Sequence, residues 1–335
     1  NGVKNGAQLA IDEINAEGGL NGVKFRLEVT DDMHDATKVA TNYASLLEKG
    51  MQVSLGCVTS APCAEWTNLS HEDNVFFITP SASNDDIPKY DNGYQMCFAD
   101  GDQGKAAASY VNENFKGQTI GVFYKSDDNY SSGIFKQFKK NLDSSVKVVE
   151  TLFTDAGATS FDSQINELKD CKFIFMPIYY TPATIFMTQA KGKIADDAVY
   201  YGCDGFDGID STEGFDIKSI PQEVSMLSHF DSSATSGAAG DFIKKYTEKY
   251  GKETLNQFGA SAYDCVYAIY GAMKEAKVDD VTISASDLCD TLKDTFKTFK
   301  LKNAVTGGGS DVSWNKDGKV KKNAIKFVIK EADNA

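Results

Sequence analysis

The chain has 335 residues, 41% hydrophobic and 24% charged, which suits about two domains with their own cores and excludes a disordered chain. Its 34 Lys plus Arg stand against 48 Asp plus Glu, and the resulting net charge of −14 repels a phosphate backbone, so no nucleic-acid partner is expected. No unbroken apolar run approaches the roughly 20 residues that cross a bilayer, so no membrane-spanning helix is expected.

In chain order, GAQLAIDEINAEGG reads as an amphipathic helix stopped at Gly18-Gly19, with Leu9, Ala10 and Ile14 on its apolar face. VKFRLEVT alternates as a strand. DATKVATNYASLLEKG is a second helix with Asp35 as N-cap, MQVSLG a strand, APCAEWTNLSHED a third helix and NVFFIT a third strand. Helices between strands demand a parallel sheet. The pattern then restarts through DQGKAAASYVNENF, TIGVFY, SSGIFKQFKKNL, VKVVETLF, FDSQINELKD, KFIFMPI, TPATIFMTQAKG, AVYYG and QEVSMLS, again helix and strand in turn. Beyond residue 230 three helices follow, around AAGDFIKKYTEKYG, QFGASAYDCVYAIYGAMKEA and SDLCDTLKDTF. The last predicted elements are two strands about a turn at Asp317-Gly318, preceded by a crossing segment at Gly307 to Gly309. The fold class is therefore α/β, two doubly wound units in series. One such unit should open on a strand, whereas this chain opens on a helix, so the first strand and its loop are expected to be missing. No charged-then-apolar leader opens the chain either, so it is not expected to be a full precursor, and Asn1 is expected to lie some way inside the natural protein.

Composition narrows the chemistry. Arg26 is the sole arginine, so an anion cannot be met by a cluster of guanidinium forks and must be met by backbone N–H groups and hydroxyls. The three histidines, His34, His71 and His229, are far apart, and the seven cysteines include no CxxC pair, so no metal site and no cofactor are expected. An odd cysteine count leaves at least one outside any intramolecular disulfide. Asp31, Asp32, His34 and Asp35 read as a solvated loop that caps a helix. Cys57 and Cys63 fit either a short disulfide loop or two small buried residues. There is no P-loop, dinucleotide fingerprint or nucleophile elbow, which argues against a nucleotide-dependent transferase or a hydrolase.

Three corners carry the candidate chemistry. Gly56-Cys57-Val58-Thr59-Ser60-Ala61-Pro62 joins a strand to a helix, where free N–H groups and a partial positive charge favour an anion. Thr59 or Ser60 is expected to cap that helix. Thr79-Pro80-Ser81-Ala82-Ser83-Asn84 is a second hydroxyl-rich corner, and the two together make a carboxylate site without arginine. Tyr201-Gly202-Cys203-Asp204-Gly205-Phe206 is the third, with Asp204 placed to meet a cation or, alternatively, to shape a turn. Tyr130, Tyr179 and Tyr180 recur at strand-to-helix junctions.

NGAQLAIDEINAEGGLNG, a strand end bearing two Asp residues, GCVTSA, FFITPSAS and YGCDGF, in that order, resemble the substrate-binding proteins of branched-chain amino acid ABC transporters, type I periplasmic binding proteins. The resemblance implies two Rossmann-like lobes joined by three crossing segments, with an amino acid trapped between them by hinge closure. Lobe one would comprise 1–98 plus 231–318 and lobe two 99–230 plus 319–335. It also implies that Ser60 binds the ligand carboxylate through its hydroxyl and N–H. Ser83 would offer its N–H to the carboxylate and its hydroxyl to the ammonium, and the Ser81 carbonyl would accept from the ammonium. Asp204 would be the acidic partner of that ammonium, where the family usually has Glu, and Tyr130 and Tyr179 match aromatic positions. Val58, Thr59 and Phe206, on the same corners, complete the expected ligand-binding set. The family's first strand and loop, which usually add a contact, have no counterpart here. By resemblance the protein is a monomeric, non-enzymatic extracytoplasmic receptor, periplasmic or lipid-anchored, that delivers an aliphatic amino acid to a membrane permease. The alternatives are a ligand-sensing domain of a receptor or regulator, and a binding protein for an amide or aromatic acid.

Overall fold

The computed structural model describes residues 1–155, 157–308, 310–322 and 324–333. The chain forms two units, Asn1–Ala99 with His229–Asn323 and Asp100–Ser228 with Ala324–Ala335, and passes from one to the other three times. The expected divisions at 98/99, 230/231 and 318/319 thus differ by a few residues. Local bonding accounts for the differences. In unit one the half-buried Lys322 donates from Nζ to the Met96 carbonyl at 2.8 Å and to Thr306 Oγ1, and His229 Nε2 meets Ser261 Oγ at 2.6 Å.

Unit one begins with α1, Gly2–Ala16. A 3-10 turn, Ala36–Lys38, leads into α2, Val39–Glu48; the Asp35 carboxylate accepts the Thr37 N–H at 2.9 Å, so Asp35 caps as expected. Then come α3, Ser60–Glu72, and two short parallel strands, β1 (Phe77–Thr79) and β2 (Gly93–Gln95). The strand expected over 23–30 does not form, and of the one expected over 51–56 only Ser54 pairs, as a single bridge to Phe77. A strand exists only where a neighbour completes its hydrogen bonds. Conversely β2 was not foreseen, because Gly-Tyr-Gln has no apolar alternation; it forms by pairing with β1.

Unit two follows the predicted rhythm: α4 (Asp100–Asn114), β3 (Thr119–Lys125), α5 (Asn129–Asn141), β4 (Lys147–Phe153), α6 (Asp162–Leu168), β5 (Phe173–Met176), α7 (Tyr180–Ala190), β6 (Val199–Gly202) and β7 (Glu223–Ser228). The chain then returns to unit one as α8 (Gly237–Tyr250), α9 (Gln257–Glu275) and α10 (Ala285–Phe296) before ending in unit two with β8, Ile325–Lys330. The strand order is β4-β3-β5-β6-β7-β8, parallel except for β8, which runs antiparallel to β7. The order reverses between β3 and β5, a switch point of the kind where open α/β sheets bind ligands.

Two readings of the C-terminal region are corrected. The hairpin about Asp317-Gly318 shrinks to one bridge, Trp314 with Val320, because the final strand pairs with β7 instead. Val305–Gly307 is a 3-10 turn within unit one, its Val305 and Thr306 N–H groups held by the Asp264 carboxylate at 2.9 Å, and not a crossing segment; Gly309 lies outside the described residues.

Stacked aromatics fill the core of unit two. The Phe123 ring lies 4.6 Å from that of Phe186 and 4.9 Å from that of Phe161, all fully or almost fully buried. Each such side chain contributes about 1.5–3 kcal/mol by leaving water. In unit one α1 packs on α9 through glycines, described further below.

All seven cysteines are buried thiols, and none is in a disulfide. The hydrogen bond between Cys57 and Cys63, followed by burial, pushes the Cys57 thiol far above its usual range, so Cys57 is a poor nucleophile while folded. Titration of the denatured, unreduced protein is expected to return seven thiols; a count of five would reveal a disulfide.

Candidate functional site

In unit one the two hydroxyl-rich corners meet. Thr79 Oγ1 donates to the Cys57 carbonyl at 3.1 Å, and the Asn84 N–H donates to Ser60 Oγ at 3.2 Å, so the start of α3 and the turn after β1 hold each other. Gln95 Nε2 on β2 ties down the other side of that turn, donating to the Ala82 and Asn84 carbonyls, both at 2.9 Å. These bonds fix the backbone of residues 80–84 although it belongs to no regular element.

No side chain caps α3. Thr59 sits at the N-cap position with its hydroxyl 2.7 Å from His34 Nδ1, and Ser60 is the first helical residue. The expected cap is therefore corrected, and the correction strengthens the anion reading. The Ser60 and Ala61 N–H groups, in the first turn, have no intrahelical partner by geometry, and the helix dipole adds to their pull on a negative charge. Ser83 lies in the neighbouring turn, next to Asn84, whose N–H bonds Ser60 Oγ. Ser60, Ser81 and Ser83 are 2%, 8% and 1% exposed, so such donors are desolvated and strong. Val58 is different: it is 45% exposed and lines a separate cavity.

In unit two three of the expected residues come together at the sheet's switch point. Tyr130 lies in the first turn of α5, after β3, and Tyr179 is the N-cap of α7, after β5. Their rings stack at 4.7 Å with 14° between planes. Asp204, after β6, accepts from the Tyr130 hydroxyl at 2.6 Å through Oδ1. The same Tyr130 oxygen accepts the Gly205 N–H at 2.8 Å, and the Asp204 N–H donates to Gln103 Oε1 at 3.0 Å. Gly205 has to be glycine here, because a Cβ would stand 2.7 Å from the Tyr130 hydroxyl and 2.8 Å from the Ile178 carbonyl.

Asp204 is 1% exposed, and its Oδ2 has no hydrogen-bond partner. Burial, only partly opposed by the Tyr130 hydroxyl, pushes its carboxyl up to about 7. Burial and the neighbouring Asp204 push the Tyr130 phenol well above its usual range, so it remains a donor. A buried carboxylate with a vacant acceptor beside two stacked aromatic faces suits a small cation.

Phe206 is fully buried in the core of unit two, and its ring occupies the space beside Gly202, where a Cβ would meet it at 2.2 Å. Tyr180, the first residue of α7, is 42% exposed. The carboxylates of Asp31, Asp32 and Asp35 accept backbone N–H groups of their own loop. Among the described residues no group of three His, Cys, Asp or Glu could hold a metal ion, and no helix is long and apolar enough to cross a membrane.

The sequence model of the family described as Periplasmic binding protein matches residues 1–330. The chain belongs to this family. Among its relatives, the leucine-, isoleucine-, valine-, threonine- and alanine-binding protein of Pseudomonas aeruginosa is 29% identical over 207 residues, 60% of this chain and 54% of that protein. The chain thus spans about half the length of that relative. The Leu/Ile/Val-binding protein homolog 3 of Brucella melitensis is 23% identical over 86% of this chain and 78% of its own. The branched-chain amino acid transporter substrate-binding protein LivJ of Streptococcus pneumoniae, solved in complex with isoleucine, superposes with a TM-score of 0.83 at 27% identity, covering 98% of this chain and 92% of that one. A solute-binding protein of R. palustris in complex with benzoate gives 0.82 at 15% identity, covering 99% and 89%, which bears on the fold alone. The fold is that of type I periplasmic binding proteins, a family that binds substrates and is not an enzyme family. In this periplasmic binding protein the hydroxyl corners and the Tyr130–Asp204 pair lie on different units.

Proposed function

We propose that the protein binds a small aliphatic amino acid, extracytoplasmically and as a monomer, for delivery to the permease of an ABC importer. The ligand carboxylate is met by the N–H groups of Ser60 and Ser83 and the Ser60 hydroxyl. The ammonium is met by Asp204, with the Ser81 carbonyl as a further acceptor and the stacked Tyr130 and Tyr179 rings as a wall. The observation that carries this reading is the vacant Oδ2 of buried Asp204, an acceptor that a ligand N–H would satisfy. At about 4 Å and an effective dielectric near 20, that charge pair attracts by roughly 4 kcal/mol before desolvation. The relatives named for leucine, isoleucine and valine, and the isoleucine complex, support the aliphatic class.

The test is a thermal-shift screen of aliphatic amino acids against their deaminated acids and their amides. A ligand at about 100 times its Kd adds about 2.7 kcal/mol, a rise of several degrees in Tm. Amino acids are expected to raise Tm and deaminated acids to leave it unchanged. An equal rise with the deaminated acid overturns the ammonium assignment and favours an aromatic or other simple acid.

A further inference from the structure

The ligand reading asks Asp204 to keep Oδ1 on Tyr130 and to leave Oδ2 for an ammonium. Yet Asp204 begins a single 3-10 turn after β6, too short an element to fix a side chain by itself. Part of the hold comes from α4, 101 positions earlier in the chain. Gln103 is fully buried near the start of that helix, and its Oε1 accepts the Asp204 N–H at 3.0 Å. That bond settles which end of the planar amide is oxygen, so the other end is the NH₂. Nε2 is buried too and completes no hydrogen bond among the described residues, yet it stands beside the Asp204 carboxyl and favours its ionised form. Burial raises that carboxyl; the Tyr130 hydroxyl, then the Gln103 amide, then the Gly205 N–H pull it back.

The packing of α4 holds Gln103 in place. Its neighbour Gly104 lies against α5, where a Cβ would stand 2.6 Å from the Ile134 carbonyl oxygen and 2.7 Å from the Phe138 nitrogen. Both are backbone atoms, so the two helices touch directly, one residue from Gln103. Helix α5 also carries Tyr130 in its first turn. Two helices locked at Gly104 therefore deliver both side chains that meet Asp204, the phenol to Oδ1 and the amide to the peptide N–H and the carboxyl. The other titratable groups around the pair are Tyr179 of α7, Asp100 of α4, and Cys203 and Asp207 on the segment of Asp204 itself. None of these is a cation, so neutral donors do the holding.

We propose that Gln103 is a positioning residue of the ammonium site: without meeting the ligand, it holds the Asp204 carboxylate aimed and ionised. The proposal rests on Asp204 being the partner of a ligand ammonium.

Gln103→Met keeps the length and removes both hydrogen-bonding atoms. Gln103→Glu keeps the shape and an acceptor for the Asp204 N–H but replaces the NH₂ by oxygen, and it supplies the readout if Gln103→Met does not fold. Two measurements are compared with the unmodified protein, the titration of the Asp204 carboxyl carbon by NMR without ligand and the affinity for L-leucine by calorimetry as a function of pH. In the unmodified protein Asp204 titrates at about 7. In Gln103→Met that midpoint is expected to rise by about one pH unit, and at least as far in Gln103→Glu, where two carboxyls share the site. Leucine binding by Gln103→Met is then expected to be about tenfold weaker at about pH 6 and within about threefold of normal at about pH 9. An unmoved midpoint, with a leucine affinity that still falls in acid, overturns the proposal alone. So does a loss of affinity equal at every pH, which would make Gln103 a ligand contact or a packing residue. A raised midpoint with leucine affinity flat in both proteins overturns the ammonium reading and the proposal with it.

Discussion

Asp204→Asn is expected to weaken amino acid binding by about two to four orders of magnitude, read by isothermal titration, because removing one partner leaves a buried charge unmatched at a cost of about 3–5 kcal/mol. The same variant is expected to stabilise the ligand-free protein, and the sign follows from linkage. The Asp204 carboxyl titrates at about 7 when folded, above its usual value of 3.8. Below the lower value it holds its proton in both states and costs nothing. As pH rises between the two values, the unfolded chain releases a proton that the folded one keeps, and stability falls. Above the folded value the full penalty is present, about 4 kcal/mol for about 3 pH units. The Asn amide escapes that penalty but leaves an NH₂ without a partner, about 1–3 kcal/mol, so the net gain at about pH 8 is about 1–3 kcal/mol. Near pH 4 the gain disappears, and thermal melts at the two values separate the cases. Ligand binding obeys the same linkage. An ammonium requires the ionised carboxylate, so affinity is expected to fall by about tenfold per pH unit below about 7. An affinity that is flat from about pH 5 to 8 removes Asp204 from the ammonium site.

Gly6→Ala is expected to lower stability by about 2 kcal/mol or more, although helix propensity alone favours Ala by about 1 kcal/mol. A Cβ at Gly6 would stand 1.9 Å from the Gly259 carbonyl oxygen and 2.7 Å from its carbon. Both are backbone atoms of α9, so no side chain can rotate away, and α1 has to move off as a whole. That movement loosens Ala7, Ala10, Ile11 and Ile14, which pack against Ala262 and Val266. Denaturant unfolding reads the result as a lower midpoint with an unchanged slope. A raised midpoint would mean that α1 and α9 do not approach so closely.

The strands of unit two were legible because each is a short apolar run between a helix and a turn, and each finds its neighbour nearby in the order of the sheet. Residues 23–30 carry an equally clear alternation, Phe25, Leu27 and Val29, yet form no ladder, since being a strand is a property of a pair. The serines were visible as hydroxyls at the ends of strands, and Asp204 as an acid between glycines. Gln95 and Gln103 were not. Gln95 matters through the carbonyls it holds, and Gln103 through a bond to a residue 101 positions away, and neither relation leaves a mark in local sequence.

The strand that closes the edge of unit two is synthesised only after three helices of the other unit. During translation β7 emerges, followed by α8, α9 and α10, all of which belong to the other unit, and only then by Ile325–Lys330. Until those residues leave the ribosome, β7 presents an open edge with buried-type side chains, and α1 waits for α9, whose first residue lies 255 positions after its own (257 − 2). A nascent chain of this design therefore keeps unit two unfinished until Ile325–Lys330 has emerged. That delay makes a chain cut short before Ile325 prone to edge-to-edge aggregation.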